Sequence, residues 1–599
     1  MALRQRLITA SDRDDGPAWH PTTWASVRAA SLWAGERRMD AESYLSSGFG
    51  IRLAIEGKPA GWSRLGSQAR AWAPPRIKTI LVAPEHGVPY LNTSQAFEFR
   101  PSPRKWLALG KTLKGDARLV REGTVLVMAS ANVGRTTVAV KAHEGHVVSH
   151  HFMRVEPTNP AASGWTYAYL RSRQAQAMMS GSQYASVIRH IEPQHVESLP
   201  VPEVSEDVKA RFAAKLARVI ALRNEAHGLT LEAEAMYAAA LGPLPVPVAA
   251  RGLGFTVRAS ALTSGRRRLE AAAHAPVVLD VRRHQRAAAV AFETISAAGY
   301  AVWLPGRFKR VPAREGVQLW ESSALLEVNP QPSKRIADGA FGDDYRGRVE
   351  AGWVLMTRSG QTYGIIGATV LATPAMEGHV ISDDVIRLKP PDRGGPRPGY
   401  LVTALSHPRL GLPLVKAMAY GSSIPHIDVA DVKAFEVARL EHAREVAIAD
   451  TAEAAAERRA QADLLEQELT RDAEAIIDEF VHRPALRLVA DAVASAGPEA
   501  DAAEFESLAG QWERERPRGA DVDEMADHPA YRRIVEMGER AVPFLLNRLA
   551  QKPGHWFAAL HAITGENPVP PDAEGKVKQM AAAWLRWGSE RGMVVDRVV

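Results

Sequence analysis

The chain says the same thing twice. Arg76-Ile-Lys78, Gly87-Val88, Pro101-Ser-Pro103-Arg-Lys105, Gly123-Thr-Val125-Leu126 and Ser130 return as Arg307-Phe-Lys309, Gly316-Val317, Pro330-Gln-Pro332-Ser-Lys334, Gly352-Trp-Val354-Leu355 and Ser359. From Gly87/Gly316 to Ser130/Ser359 the offset holds at 229 positions, so the two blocks align without a gap. The echo continues with small insertions, as Glu144-Gly-His146-Val147-x-Ser149 against Glu377-Gly-His379-Val380-x-Ser382, Arg154 against Arg387, Gly181-Ser182 against Gly421-Ser422, and His190-Ile191 against His426-Ile427. A period this long marks a duplicated domain rather than a solenoid, whose repeats run roughly 20 to 50 residues.

Each copy is followed by a helical pattern. Between Ser205 and Leu241, Phe212, Leu216, Val219, Leu222, Ala226, Leu229, Ala233, Met236 and Ala240 recur at steps of three and four, an apolar seam on one helix face. Between Glu441 and Val481, Ile448, Ala452, Ala455, Ala462, Leu465, Leu469, Ile476 and Phe480 form a similar stripe, interrupted by Arg458 and Arg459. Pairing the two helices buries both seams. Within each copy, short β-rich runs (Thr79–Ala83, Thr124–Met128, Thr136–Val140, Phe152–Val155, Trp353–Met356, Val385–Leu388) are separated by Gly, Pro and Asn. Trp165–Met179 and Tyr400–Tyr420 read as helical, the latter broken by Pro408 and Pro413. The expected class is α+β: two tandem α+β domains separated by a pair of long antiparallel helices forming a coiled coil, plus a small all-α C-terminal domain. The expected divisions are 1–204, a helix at 205–245, 246–440, a helix at 441–485, a linker at 486–505 and a helical domain at 506–599.

Zero cysteines among 599 residues exclude disulfides and thiolate catalysis and remove the commonest zinc ligand. No stretch approaches the ~20 apolar residues of a membrane span. The amino-terminal residues, with Asp12 to Asp15, lack a signal-peptide apolar region, so no membrane and a cytoplasmic location are expected. The net charge of +6 is modest; its placement matters more. Basic residues gather in inter-strand loops (Arg100 to Lys105, Lys111 to Lys114, Arg171 and Arg173, Arg307 to Arg310, Lys334-Arg335, Arg346 and Arg348), whereas in the helices they alternate with acids. Recurrence of such loops in both copies points to a phosphate-facing surface.

The ordered phrases Glu122-Gly-Thr-Val-Leu-Val-Met-Ala-Ser130 and Ala351-Gly-Trp-Val-Leu-Met-Thr-Arg-Ser359-Gly360, each followed by Glu-Gly-His-Val-x-Ser, then Tyr420-Gly-Ser-Ser-Ile-Pro-His-Ile427 and a long helix, resemble the specificity subunits of type I restriction-modification systems. The resemblance covers roughly residues 40 to 485 and includes Arg38-Met-Asp-Ala-Glu-Ser-Tyr44. It implies two target-recognition domains, each reading half of a split DNA site, and two spacer helices that dock methyltransferase subunits. A helix of about 37 residues spans roughly 55 Å, enough to set two readers one or more DNA turns of ~34 Å apart. The copies diverge outside the shared scaffold, for example Asn132-Val-Gly-Arg135 against Gln361-Thr-Tyr-Gly364, which points to two different half-sites.

Arg suits guanine edges, Asn and Gln suit adenine, and Lys neutralises phosphate. On that basis the candidate DNA-binding residues are Asn92, Thr93, Ser94, Lys105, Asn132, Arg135, Arg173, Ser182, Gln183, Tyr184 and Arg189 in the first copy. In the second they are Arg307, Lys309, Ser322, Ser323, Lys334, Arg358, Gln361, Tyr363, Ser422, Ser423 and His426. The serines beside glycine equally suit turns, and the recurring His146, His190, His379 and His426 suit structural hydrogen bonds. No catalytic box is found: Asn329-Pro-Gln-Pro332 departs from an amino-methylation motif, Lys105 stands where a phosphate loop ending Gly110-Lys-Thr112 needs glycine, and Pro571-Asp572-Ala-Glu574-Gly-Lys576 lacks nuclease spacing.

The expectation is a non-catalytic subunit with no metal or cofactor of its own, S-adenosylmethionine residing on a partner methyltransferase. Expected partners are double-stranded DNA, methyltransferase subunits on the spacer helices, and further defence proteins through the C-terminal domain. That domain carries Trp512, Trp556, Trp584 and Trp587, and Gly538-x-x-Ala541-Val-Pro543 is weakly similar to a HEAT repeat. Typical specificity subunits lack it. The alternative is a defence-complex scaffold whose duplicated domains bind proteins.

Overall fold

The computed structural model describes residues 43–44, 46–76, 80–108, 118–183, 190–243, 254–263, 267–330, 334–337, 347–421, 423–482, 498–515, 528–551, 556–570 and 573–590. These form two compact units. One holds both repeats and nearly all of both long helices, up to Asp478; the other comprises Glu479–Val599 with Lys58–Gly61.

The repeats share one topology. In the first, an antiparallel sheet runs in the order Ala69–Trp72, Phe152–Pro157, Val125–Met128, Thr136–Val138; in the second, Ala301–Trp303, Val385–Lys389, Val354–Thr357, Thr369–Leu371. A smaller sheet in each contains one parallel pairing, Tyr90 and Leu91 on Val147 and Val148, matched by Leu319 and Trp320 on Val380 and Ile381. The repeat's start is tied to its end by Trp62–Arg64 on Pro200–Pro202 and by Ala291–Thr294 on Glu436–Arg439. The shared motifs now have physical reasons. Gly123 and Gly352, at φ +81 and +84, make the left-handed entry to the central strand, a conformation that costs a residue with a Cβ roughly 1 kcal/mol. Arg154 and Arg387 are buried on equivalent strands, and each donates to an equivalent carbonyl, Arg118 O at 2.9 Å and Gly347 O at 3.1 Å.

After the sheet comes a nine-residue helix, Ser163–Arg171 or Pro398–Ser406. The run read as Trp165–Met179 is two helices, because Ser172 turns extended and caps the next one by accepting from Ala175 N. Gly164 and Gly399 sit at the same place on these helices. A Cβ there would stand 2.2 Å from the Phe212 backbone and 2.5 Å from Ala449 O, so glycine allows each repeat to seat on its own long helix.

Those long helices are Glu206–Leu241, capped by Ser205, and His442–His482. They run antiparallel side by side: Lys215 pairs with Asp472, Arg223 with Glu466, Arg458 with Glu225, and Thr451 reaches Met236. Phe212, Leu216, Val219, Leu222, Ala226 and Ala233 of the first seam are buried, as are Ile448, Ala455, Ala462, Leu469 and Phe480 of the second. Arg459 does not break the stripe. It lies 4.2 Å over the Phe99 ring, and its stem covers apolar surface.

The repeats also touch directly, through residues 229 positions apart. Phe99 N donates to Leu326 O at 2.8 Å and Val328 N to Phe97 O at 2.7 Å, with Glu98 facing Glu327 between them. An antiparallel bridge between equivalent residues requires a local two-fold axis through it.

Near this axis lies a buried charge network. The fully buried Glu466 carboxylate on the second long helix accepts from Tyr167 Oη, from Arg223 Nη2 at 2.8 Å and from Asn329 Nδ2 at 2.6 Å, with Arg171 Nη2 at 3.6 Å. Asn329 N also donates to Asp463 Oδ1 at 2.9 Å. One carboxylate thus joins the first repeat, the first helix, the second repeat and its own helix. Burial works to raise its pKa, but Arg171 and Arg223 outweigh that and hold it near 2.

In the other unit, helices Pro498–Glu515, Pro529–Glu536, Val542–Gln551, Phe557–Thr564 and Val577–Glu590 close on a core containing Phe505, Trp512, Tyr531, Trp556 and Trp584. The first of these helices begins inside the stretch read as linker, 486–505. Phe505, fully buried against Trp556 at 6.3 Å, is core rather than connector. The helices bury one another's apolar faces, so the unit does not need stacked repeats to close.

Glu466→Gln removes the charge and leaves two arginines buried without it. It should lower unfolding stability by about 3–5 kcal/mol, whereas Glu468→Gln, which breaks a half-exposed pair with Lys215, should cost under about 1 kcal/mol. Urea unfolding followed by tryptophan fluorescence checks the contrast.

Candidate nucleic-acid interface

In the second repeat two loops meet at one end of the central sheet. Ile427 N donates to Arg358 O and Gly360 N to Pro425 O, both at 3.0 Å, and Gln361 Nε2 donates to Ser423 O at 2.9 Å. The sequence-chosen Arg358, Gln361, Tyr363, Ser423 and His426 are therefore brought onto a single edge. Tyr363 is 69% exposed and Ile424 66%, and the His426 ring lies on Tyr420 at 4.3 Å. Beneath them Asp384 accepts from Ser359 Oγ at 2.7 Å and pairs with Arg358 at 3.4 Å. Asp384 was not singled out from sequence; its signal is only that it follows the Glu-Gly-His-Val-x-Ser phrase.

The first repeat builds the same edge with different chemistry. Ser130 bridges His190, and Ile191 N donates to Ala129 O at 2.9 Å. Ser130 Oγ shares a hydrogen bond with His151 Nδ1 at 2.9 Å, so His151 stands where the second repeat has Asp384. The His150 and His151 rings lie 4.2 Å apart, tilted by 35°. Burial depresses both, with His151, Arg76 and Arg118 adding for His150 and Arg76 for His151, so both rings are held toward the neutral form. Asn132 is exposed here. Tyr184, Arg189 and Ser422 lie outside the described residues.

Other candidates are elsewhere. Asn92 Oδ1 accepts from Ser94 Oγ and Gln95 N, closing its own turn beside Thr93. Ser182 Oγ donates to Met178 O at 3.0 Å and Gln183 to Ser180. Arg173 pairs with Asp478 on the second long helix. Ser322 Oγ reaches Asp384 O at 3.5 Å, and Ser323 opens a short 3-10 turn. Lys105, Arg307 and Lys309 are exposed, and Lys334 is exposed but pairs with Glu321. Of the recurring histidines, His146 bonds the Glu144 carbonyl and His379 stacks on Trp320, while the neighbouring His143, which does not recur, is buried and bonds Ala96 O at 3.0 Å.

Arg135 is held at the two-fold axis. It pairs with Glu327 and lies 3.8 Å over the Phe97 ring, while Arg104 approaches Glu98 at 3.7 Å. Burial pushes the Glu98 carboxyl up to about 7, with Arg104 pulling against it and Glu327 adding to it. Among the described residues no cluster of His, Asp or Glu is arranged to hold a metal ion, and no helix is long and apolar enough to cross a membrane.

No family model matches the chain, and no curated protein does. Among solved structures it is similar to a type I restriction-modification S subunit from M. genitalium, at 12% identity over 71% of this chain and 96% of that one, with a TM-score of 0.29. It is also similar to the HsdS subunit from Thermoanaerobacter tengcongensis, at 14% identity over 71% and 98%, with a TM-score of 0.21. A third match is a chain solved for the assembly and conformational transition of the type I R-M system, at 16% identity over 71% and 99%, with a TM-score of 0.22. Likeness of this degree carries no argument about what the present chain binds.

Because the folded pKa of Glu98 lies above its ordinary 4.5, the stability it contributes is complete below about pH 4.5 and is lost as pH rises through about 7. Between about pH 5 and pH 8 the protein should lose up to about 3 kcal/mol relative to Glu98→Gln. Urea midpoints of both proteins at the two pH values measure this.

Proposed function

We propose that the chain is a non-catalytic, sequence-reading subunit of a DNA-modification or restriction-modification complex. It reads a split target in double-stranded DNA and directs a partner adenine methyltransferase, which carries S-adenosylmethionine, to that target. The observation that carries this reading is the pair of equivalent loop edges, one per repeat, on domains related by a local two-fold and fixed by shared long helices. A DNA duplex has two-fold axes between its strands, so readers related this way meet the two halves of a site in equivalent poses. The edges differ where they would face bases: Asn132 and His151 in one copy, Gln361, Tyr363 and Asp384 in the other. The two halves of the target are therefore unlike. One edge reads only a few base pairs; coupling two on a fixed spacer makes their binding energies nearly additive. The motif order shared with specificity subunits supports the same reading, and the long helices offer the docking surface for the methyltransferase.

Binding to duplex DNA should weaken steeply as salt rises, through release of counterions. Arg307→Gln should weaken binding evenly across sequences and reduce the salt slope by about 1. Gln361→Ala should relax one half of the methylated motif by about 1–3 kcal/mol per base pair and leave the other half intact. Replacing residues 266–440 with the matching region of a relative should likewise change one half only. Methylation maps of cells with and without the chain read these outcomes, and an unchanged map contradicts the proposal.

A further inference from the structure

The two sides of the local two-fold are not equally filled. Helices Ser163–Arg171 and Pro398–Ser406 match residue for residue through Gly164 and Gly399, so Val402 stands at the place of Tyr167 and Ser406 at the place of Arg171. The long helices match likewise through their starts, which sets Thr230 at the place of Glu466 and His227 at the place of Asp463. Tyr167 and Arg171 fill one side and spend their polar groups on Glu466. On the other side two small side chains and no matching carboxylates leave a cavity of about 390 Å³ among both repeats and both long helices. That volume lies in the range of small-molecule sites.

The walls carry more cationic than anionic side chains. Arg100 and Glu234 lie on the lining but satisfy each other through a two-pronged pair. Arg223 is committed to Glu466 and Asp463. That leaves Arg104, Lys416 and Arg459. Among the described residues, Arg104 pairs with Glu98 alone, at 3.7 Å. Arg459 donates to Leu371 O at 3.3 Å, lies over Phe99 and feels the Asp463 carboxylate that Arg223 already engages, while Lys416 has no ion pair among the described residues. Burial lowers the Lys416 pKa and Arg104 lowers it further, which is the cost of two cations facing one chamber. Apolar side chains such as Phe99, Ile365, Leu371 and Leu412 form the rest of the wall.

We infer that this chamber binds a small organic anion with an apolar or aromatic body, its carboxylate or phosphate taken by Arg104, Lys416 and Arg459. The inference is independent of the DNA reading.

Calorimetric titration of the full chain without DNA tests it, using adenosine 5′-monophosphate and decanoate as probes and adenosine and 1-decanol as their neutral counterparts. At least one anion should bind saturably with a Kd below about 1 mM, about ten-fold or more tighter than its neutral counterpart. Whichever anion binds assigns the head group to phosphate or carboxylate. Lys416→Gln should weaken that anion by about ten-fold and leave the neutral compound unchanged. Val402→Tyr with Ser406→Arg should fill the chamber and abolish binding of either kind; should that variant not fold, the Lys416→Gln comparison decides. Absence of saturable binding by both anions, equal binding of the neutral compounds, or anion binding undiminished in Lys416→Gln overturns the inference.

Discussion

One carboxylate holds the architecture together. Glu466 is fully buried and is reached by Tyr167 and Arg171 from the first repeat, Arg223 from the first long helix and Asn329 from the second repeat. A buried charge with several well-placed donors is a poor source of net stability but a strong source of specificity, because any other register strands charges away from water. This network and the Lys215 pairs with Glu468 and Asp472 choose one register.

The second constraint is the bridge at Glu98 and Glu327. Because it joins equivalent residues, it relates the two repeats by a half-turn about one axis, so that both face the same way along it, and Arg135 over Phe97 fastens it from the side. Symmetry of backbone does not bring symmetry of filling. The same positions that hold Tyr167 and Arg171 on one side hold Val402 and Ser406 on the other, so divergence within a conserved frame leaves a packed network on one side and a cationic chamber on the other.

How far the sequence alone reaches depends on the kind of signal. The constant 229-residue offset revealed the duplication, and glycines with positive φ, such as Gly123 and Gly352, carried the motifs because backbone conformation allows little else there. Both long helices were legible from their seams. Charged residues inside them were not: Arg223, Asp463 and Glu466 follow the same alternating pattern as exposed ones, and only tertiary context buries them. For the same reason Arg135 and Arg173 read as surface cations from composition, while in the fold both are engaged by carboxylates from elsewhere in the chain. The break at Ser172 was missed because Ser between Arg171 and Arg173 is also tolerated in helices, and both arginines are good helix formers. The helix from Pro498 was read as linker because its first residues are small and polar. Gln361 and Tyr363 follow a duplicated strand and Ser423 and His426 follow a helix, so the meeting of their two loops at one edge is a tertiary contact that no local pattern carries.

The bridge and the carboxylate network lock the repeats at one separation before any partner binds. The chain has no cysteine, so spin labels at Asn132→Cys and Gln361→Cys report a single distance by pulsed electron resonance. A locked pair gives one narrow distance distribution in the free protein, which broadens when Glu466→Gln is added. A broad or multiple distribution in the otherwise native chain would contradict it.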